Sequence, residues 1–471
     1  MRNWLLYFVI LGCVLLSGCR LIHIDEQKKP EVTQQEVEMA MSQFLPKDST
    51  PIPFSVPKSQ TIVRDDLDGD GVSEGIVIYP HPQQTGKFEM LVIKRNQKRQ
   101  WEKWNQFSIQ AKKLLNVELR DVTKDKRSEL ILSMPGEKAK SERLLIYQLQ
   151  ANRVRTLLNR PYDEKVIYDF QRDGTNEVVL FQILRDSKRK TVHTKAELFD
   201  YRGNALVVID RIQLEGEANK GDIHYGKVSS NTRGIFVDLA VGSRGGGTTV
   251  LLVPKKSVLL QKIEPGKGLY SYKLLNEASR DVNGDGIIEF VLMEQPKGTE
   301  KMPSSNLPYV YNWYQWVKGD NRKLVQQVYE DLNLGFRFQY FARWLGNIKI
   351  EAHPQSNQVT FYYGKVNQPI KKEWKLFTLR RFNQNEWNKL IQAGNKPNPS
   401  TQPFIVKKKG AFIYAAILPT PQERAQLQKI KQQHLIPTKE ELTKHFILLS
   451  PQEQKSKLAL RAKIMPKTSG Q

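Results

Sequence analysis

Four stretches of this 471-residue chain carry oxygen-bearing side chains at one repeated spacing. Asp66-Leu67-Asp68-Gly69-Asp70-Gly71-Val72-Ser73-Glu74 runs into Ile76-Val77-Ile78-Tyr79, and Asp281-Val282-Asn283-Gly284-Asp285-Gly286-Ile287-Ile288-Glu289 runs into Phe290-Val291-Leu292. Two weaker copies lie between them: Asp121, Thr123, Asp125 and Glu129 lead into Leu130-Ile131-Leu132, and Asp169, Gln171, Asp173 and Glu177 into Val178-Val179-Leu180. The oxygens fall at the first, third, fifth and ninth positions each time. Alternate residues of a tight loop can turn side-chain oxygens around one hard cation, and glycine at the sixth position supplies the positive φ such a turn needs. An EF-hand closes with Glu at position 12 and is flanked by helices. Here the closing acid is at position 9 and a β-branched run follows, which predicts a strand-loop-strand calcium loop. The alternative is an acidic turn whose Asp and Asn side chains satisfy backbone donors.

The copies differ in completeness. The first and last keep both glycines and a full ligand set; the third has Gln171 at its third position; the second has Lys124 and Lys126 where glycines belong, plus Arg127, cations that compete with a metal. The intervals are 55 residues (66 to 121), 48 (121 to 169) and 112 (169 to 281), the last being twice 56. A missing copy is expected near 226, where Gly226 to Gly234 precedes Ile235-Phe236-Val237 with the strand kept and the acids lost. Other strand-like runs are Phe88 to Ile93, Leu114 to Leu119, Leu144 to Tyr147 and Tyr309 to Trp316, and nothing between 60 and 330 reads as helix.

This repeat resembles the FG-GAP (VCBS-like) repeats of integrin-α-type β-propellers, in which each calcium loop joins two strands of one blade. The resemblance implies a mainly β chain: five units of about 54 residues in a closed ring, or six if the segments before 60 and after 330 complete another blade, closure removing exposed sheet edges. It also implies that the calcium is structural.

Met1 and Arg2 precede an apolar run from Trp4 to Val14, interrupted by Gly12, and then Leu16-Ser17-Gly18-Cys19. This resembles a bacterial lipoprotein signal, too short for a permanent span. The resemblance implies that Cys19 is lipidated and becomes the mature N-terminus, at a charge of 24 minus 1, or +23. The body is then extracytoplasmic and held at the cell membrane, where calcium is plentiful. Cys13 and Cys19 are the only cysteines, which excludes a disulfide framework, a CxxC zinc site and a cysteine nucleophile in the body. The expected organisation is a signal peptide over 1–18, a tether with a short helix carrying Val37, Met39, Met41 and Phe44 over 19–45, propeller repeats over 46–334, an α+β domain over 335–450 and a basic, mobile tail over 451–471. In the α+β domain, alternating strands precede a helix opening at Asn385-Glu386-Trp387, a strand Phe412 to Ala415 and amphipathic helices at Pro421 to His434 and Thr438 to His445. The arrangement resembles lipoproteins of Gram-positive bacteria that join an FG-GAP-type region to a small α+β domain opening with GFRFxxxxxW, here Gly335 to Trp344. That resemblance brings a fold and a location, and no activity.

Catalytic motifs are missing: no HExxH, P-loop, GxSxG or GxGxxG followed by a helix occurs, and no two of the seven His lie within four residues of each other. Ser55/Lys58 and Ser187/Lys190 each form an SxxK without a KTG partner, and Gly242 to Gly247 reads as a hairpin loop. A formal charge of +24 favours an anionic partner, with basic clusters at Lys94–Lys103, Arg185–Lys190, Lys371–Lys375 and Lys407–Lys409 interleaved with Trp101, Trp104 and Trp374. The signal segment argues against nucleic acid and leaves acidic lipid headgroups and wall polymers. The sequence therefore points to a non-enzymatic, lipid-anchored surface protein that binds an envelope polymer or a protein. Alternatives are an envelope phosphoester hydrolase and a folding or assembly factor for exported proteins.

Overall fold

The computed structural model describes residues 32–56, 59–137, 141–151, 153–188, 191–218, 221–241, 246–256, 258–263, 272–273, 277–303, 306–319, 321–365, 368–393 and 402–464. The segment read from the sequence as a signal peptide, Cys19, Lys58, Lys190, residues 242–245 and the last seven residues of the tail (465–471) lie outside them. The chain is mainly β, with six antiparallel sheets of four or five strands. It divides into two compact units, residues 1–139 with 143–160, and residues 140–142 with 161–471.

In the first unit, Thr33 caps the helix Gln34–Met41 through a reciprocal box with Glu36, satisfying donors the first turn leaves unpaired. The helix buries Val37, Ala40 and Met41, packing Ala40 and Met41 against Val77, Tyr79, Leu91 and Ile93. It approaches Gly75 so closely that a Cβ there would lie 2.5 Å from Val37 Cγ1. The first sheet runs in sequence order through Ile62–Asp65, Glu74–Pro80, Lys87–Arg95 and Trp101–Gln110. The period-2 alternation sends Val77 and Tyr79 to the helix, while Ile76 and Ile78 join Val117, Leu119, Leu130 and Leu132 of the second sheet in one core. That second sheet comprises Asn116–Arg120, Glu129–Pro135, Glu142–Gln150 and Arg153–Tyr162.

The second unit repeats the pattern. The third sheet holds Glu164–Tyr168, Glu177–Asp186, Thr191–Arg202 and Ala205–Glu215; the fourth holds Ile223–Lys227, Arg233–Val241, Gly246–Lys255 and Val258–Ile263, with Tyr272–Lys273 beside it. The degenerate copy expected near 226 is thus a strand-loop-strand unit that keeps its packing: Ile235 and Val237 meet Val179 and Leu198 on one face, and Phe236 meets Phe290 on the other.

Two expectations need correction. Phe336–Gln339, assigned from sequence to the C-terminal domain, is the fourth strand of the fifth sheet, after Phe290–Glu294, Tyr309–Lys318 and Asn321–Asp331. Phe446–Leu448, from far along the chain, extends that sheet as its fifth strand. The segment read as a basic, mobile tail is helical over Pro451–Ile464. Arg461 is buried and donates to the Leu307 carbonyl at 2.7 Å and to Tyr311 Oη at 3.1 Å, while Lys457 pairs with Glu330 at 2.8 Å. Its cations are held by a buried carboxylate and backbone oxygen, a destination that composition does not reveal.

The sixth sheet is ordered Ile348–His353, Gln358–Tyr363, Lys375–Asn383, Phe412–Ile417 and Phe404–Lys409, with the helix Gln384–Ala393 after its third strand. The GFRFxxxxxW segment is a core motif. Phe336, Phe338 and Trp344 are all buried, Trp344 Nε1 donates to the Leu435 carbonyl at 2.8 Å, and Phe361 and Phe377 stack beside them with centroids 4.4 Å apart. The predicted helices appear at Pro421–Lys429 and Lys439–His445, each opened by a Thr/Glu capping box.

Candidate metal centres

The first three loops precede the second strand of the first, second and third sheets; the fourth precedes Phe290–Glu294, the first strand of the fifth sheet, where a single bridge between Arg280 and Glu289 closes the loop, and all four fold alike. The fourth and sixth loop positions have positive φ throughout: Gly69 (78°) and Gly71 (82°), Lys124 (70°) and Lys126 (66°), Arg172 (62°) and Gly174 (86°), Gly284 (79°) and Gly286 (78°). The sequence reading foresaw this at position six; position four obeys the same rule. The second copy adopts it with two lysines, a conformation that costs an L side chain about 1 kcal/mol.

The first acid of each loop serves the backbone. Asp66 accepts from the amides of Gly69 (2.8 Å) and Gly71 (2.9 Å), Asp121 from those of Lys124 and Lys126 (2.9 Å each), Asp169 from those of Arg172 (2.5 Å) and Gly174 (3.3 Å), and Asp281 from those of Gly284 (2.7 Å) and Gly286 (2.8 Å). The closing Glu does the same with one oxygen: Glu74, Glu129, Glu177 and Glu289 accept from the amides of Leu67, Val122, Phe170 and Val282 at 2.8, 2.9, 2.9 and 2.8 Å. These bonds are made within the loop itself, so part of each motif is an acidic turn whose side chains satisfy backbone donors.

What the turn does not use differs between copies. In the first loop one oxygen each of Asp68 and Asp70 accepts from the amides of Asp70 and Val72, and the Oδ2 atoms and Glu74 Oε1 converge elsewhere. Among the described residues, two groups of carboxylates lie close enough to share one ion: Asp66, Asp68 and Glu74, and Asp281, Asp285 and Glu289. Glu74 is fully buried and its Oε1 accepts no hydrogen bond. A hard divalent cation fits both clusters. Burial pushes the Glu74 carboxyl up to about 8, Asp68 and Asp70 adding to the rise while the Leu67 amide and Lys94 oppose it. Glu289 is raised by burial as well.

The second and third loops hold no such group of carboxylates among the described residues. In the second, Arg127 Nε holds Asp125 Oδ2 at 3.0 Å and Gln148 approaches the same oxygen. Of the three cations in this loop, Arg127 is the one that lies on an oxygen of the repeated pattern. In the third, Gln171 puts a neutral amide at the third position, and Arg233 stands 3.7 Å from Asp169.

Residues missed in the sequence reading stand opposite the closing Glu on the strand that pairs with the one after each loop. Gly75 pairs with Ile93 and Phe290 with Tyr314, so Lys94 faces Glu74 and Gln315 faces Glu289. Lys94 Nζ bonds Asp68 Oδ2, lies 2.9 Å from Asp70 Oδ2 and 3.7 Å from Glu74 Oε1. Gln315 Nε2 donates to Asp285 Oδ2 at 2.6 Å and to Glu289 Oε1 at 2.8 Å. A pairing of Ile76–Tyr79 with Phe88–Ile93 was the signal that could have found Lys94, which was counted as part of a basic cluster. Other members of those clusters are also engaged internally: Arg95 with Glu36, Arg185 with Glu217, Lys371 over Trp374 and Lys375 with Glu423.

No family model and no curated protein matches the chain. Solved structures with partial likeness include an exotype rhamnogalacturonan lyase (10% identity, TM-score 0.25, covering 58% of this chain and 56% of that one) and an acylaminoacyl peptidase of Pyrococcus horikoshii (10% identity, TM-score 0.24, covering 78% of this chain and 56% of that one). The chain spans little more than half the length of either, and at such scores neither likeness bears on its activity.

Proposed function

We propose that this protein is a lipid-anchored, non-enzymatic surface protein whose FG-GAP-type β-propeller, of five or six blades, is stiffened by calcium and engages an envelope polymer or a protein partner. The observation that carries the reading is the fourfold strand-loop-strand unit with one fold of backbone and convergent carboxylate oxygens at 66–74 and 281–289. Five sheets follow one another in the order of the repeats, and their inward faces interleave within each unit. Cys19 would carry the lipid, and two or three acyl chains hold a protein at a bilayer durably.

Calcium titration calorimetry with melting in calcium and in chelator tests the metal. A bound ion and a higher melting temperature in calcium support the reading; identical melting in both conditions sinks it. Membrane fractionation of Cys19→Ala tests the anchor, with release into the soluble fraction expected. A Cys19→Ala variant that still sediments with membrane rejects lipidation at that residue.

A further inference from the structure

Two loops that are near-equivalent in sequence present different groups to the ion. In 281–289 the residue opposite the closing Glu is Gln315, whose amide donates to Asp285 and Glu289. A carboxamide carries both a donor and an acceptor, so by rotating it can offer its carbonyl oxygen to a calcium ion. In 66–74 the same register position is Lys94, whose ammonium has three donors and no acceptor. Its Nζ sits among Asp68 Oδ2, Asp70 Oδ2 and Glu74 Oε1, the oxygens the turn leaves over. Glu74 is fully buried and its Oε1 accepts no hydrogen bond, so a cation is what that corner of the loop calls for, and Lys94 supplies one from within the chain.

We propose that Lys94 is a tethered stand-in for the metal, which keeps the 66–74 loop folded without calcium and excludes calcium from it, leaving 281–289 as the calcium-responsive centre. The inference rests on the calcium reading above and assigns its two main sites different roles. To enter 66–74, a divalent ion must lift a mostly buried ammonium off two aspartates and place it in water, at close range to a positive charge. At 281–289 the ion displaces only neutral amide donors, those of Gln315 and Asn283.

The test is calcium titration of the full chain beside Lys94→Gln, Lys94→Met and Gln315→Lys. Wild type is expected to titrate without a 66–74 ion, Lys94→Gln to gain one bound calcium, and Gln315→Lys to lose one. Lys94→Met removes the cation without adding a donor; its melting temperature should fall below wild type in chelator and recover in calcium. A Lys94→Met loss that calcium does not recover marks a purely structural ion pair and overturns the proposal. So does a wild type that binds calcium at both loops with Lys94→Gln unchanged, a result that leaves the calcium reading standing. No calcium bound by any of the four proteins overturns both.

Discussion

Loops 66–74 and 281–289 share spacing, glycines, backbone conformation and the two sets of amide bonds made by their first and last acids. They part at the third position of the loop, Asp68 against Asn283, and at the facing position on a neighbouring strand. There, Lys94 brings a positive charge into an acidic pocket, and Gln315 brings a neutral amide. The comparison teaches that an acidic loop of this kind has two layers. The loop's own residues fix the turn and place the oxygens; the strand opposite decides whether they face an ammonium of the chain or a neutral amide. Desolvation opposes the Lys94 charge, yet hydrogen bonds to Asp68 and Asp70 hold the ammonium above the ordinary lysine range.

The largest expected effect is on pH dependence. Glu74 and Glu129 are raised by burial from 4.5 to about 8, so each contributes stability that is fully present below the unfolded value and lost as pH rises through about 8. Melting in chelator should therefore weaken between pH 5 and pH 9, on the order of a few kcal/mol in total. Calcium should remove the share due to Glu289, also raised by burial, and leave that of Glu74. Melting curves of Glu74→Gln and Glu289→Gln across that range separate the shares; a calcium-dependent part that survives Glu289→Gln would break the comparison.

Next comes Asp68→Ala, which strips Lys94 of a charged partner in a mostly buried setting. A loss of about 2 kcal/mol is expected, equal in calcium and in chelator. Asp285→Ala should behave oppositely. With an affinity near 10⁻⁴ M, typical of extracellular modules, 1 mM calcium stabilises by about 1.4 kcal/mol, and the variant loses that amount in calcium alone. Denaturant titrations in both conditions check the pair, and a calcium-dependent loss in Asp68→Ala sharpens the question of whether Lys94 yields to the ion. The smallest effect belongs to the second loop. Lys126→Gly relieves a positive φ of 66° at an exposed position and should raise stability by about 0.5–1 kcal/mol without creating a calcium response.

The mainly β character, the strand after each loop and the order of the four copies by completeness were legible in the sequence, because period-2 alternation and glycine placement are local properties. The degenerate copy near 226 was legible for the same reason: Ile235, Phe236 and Val237 alternate between two cores whether or not the loop before them keeps its acids. The C-terminal boundary was not. Phe336–Gln339 reads as a strand wherever it pairs, and its partners are Asn321–Asp331 beside it in sequence and Phe446–Leu448 far along the chain. Nor was the fate of Pro451–Ile464, whose lysine and arginine content suggests a solvated tail until Glu330 and the Leu307 carbonyl are placed beneath it.

By itself the sequence determined the loops' shape and oxygens, since alternating acids and residues able to take positive φ act within nine residues. Only the tertiary structure decided which group each loop's oxygens meet, an ammonium, a guanidinium or a neutral amide, because the deciding side chains, Lys94, Arg127, Arg233 and Gln315, arrive mostly from other strands, and electrostatics acts through space at distances that chain spacing does not record.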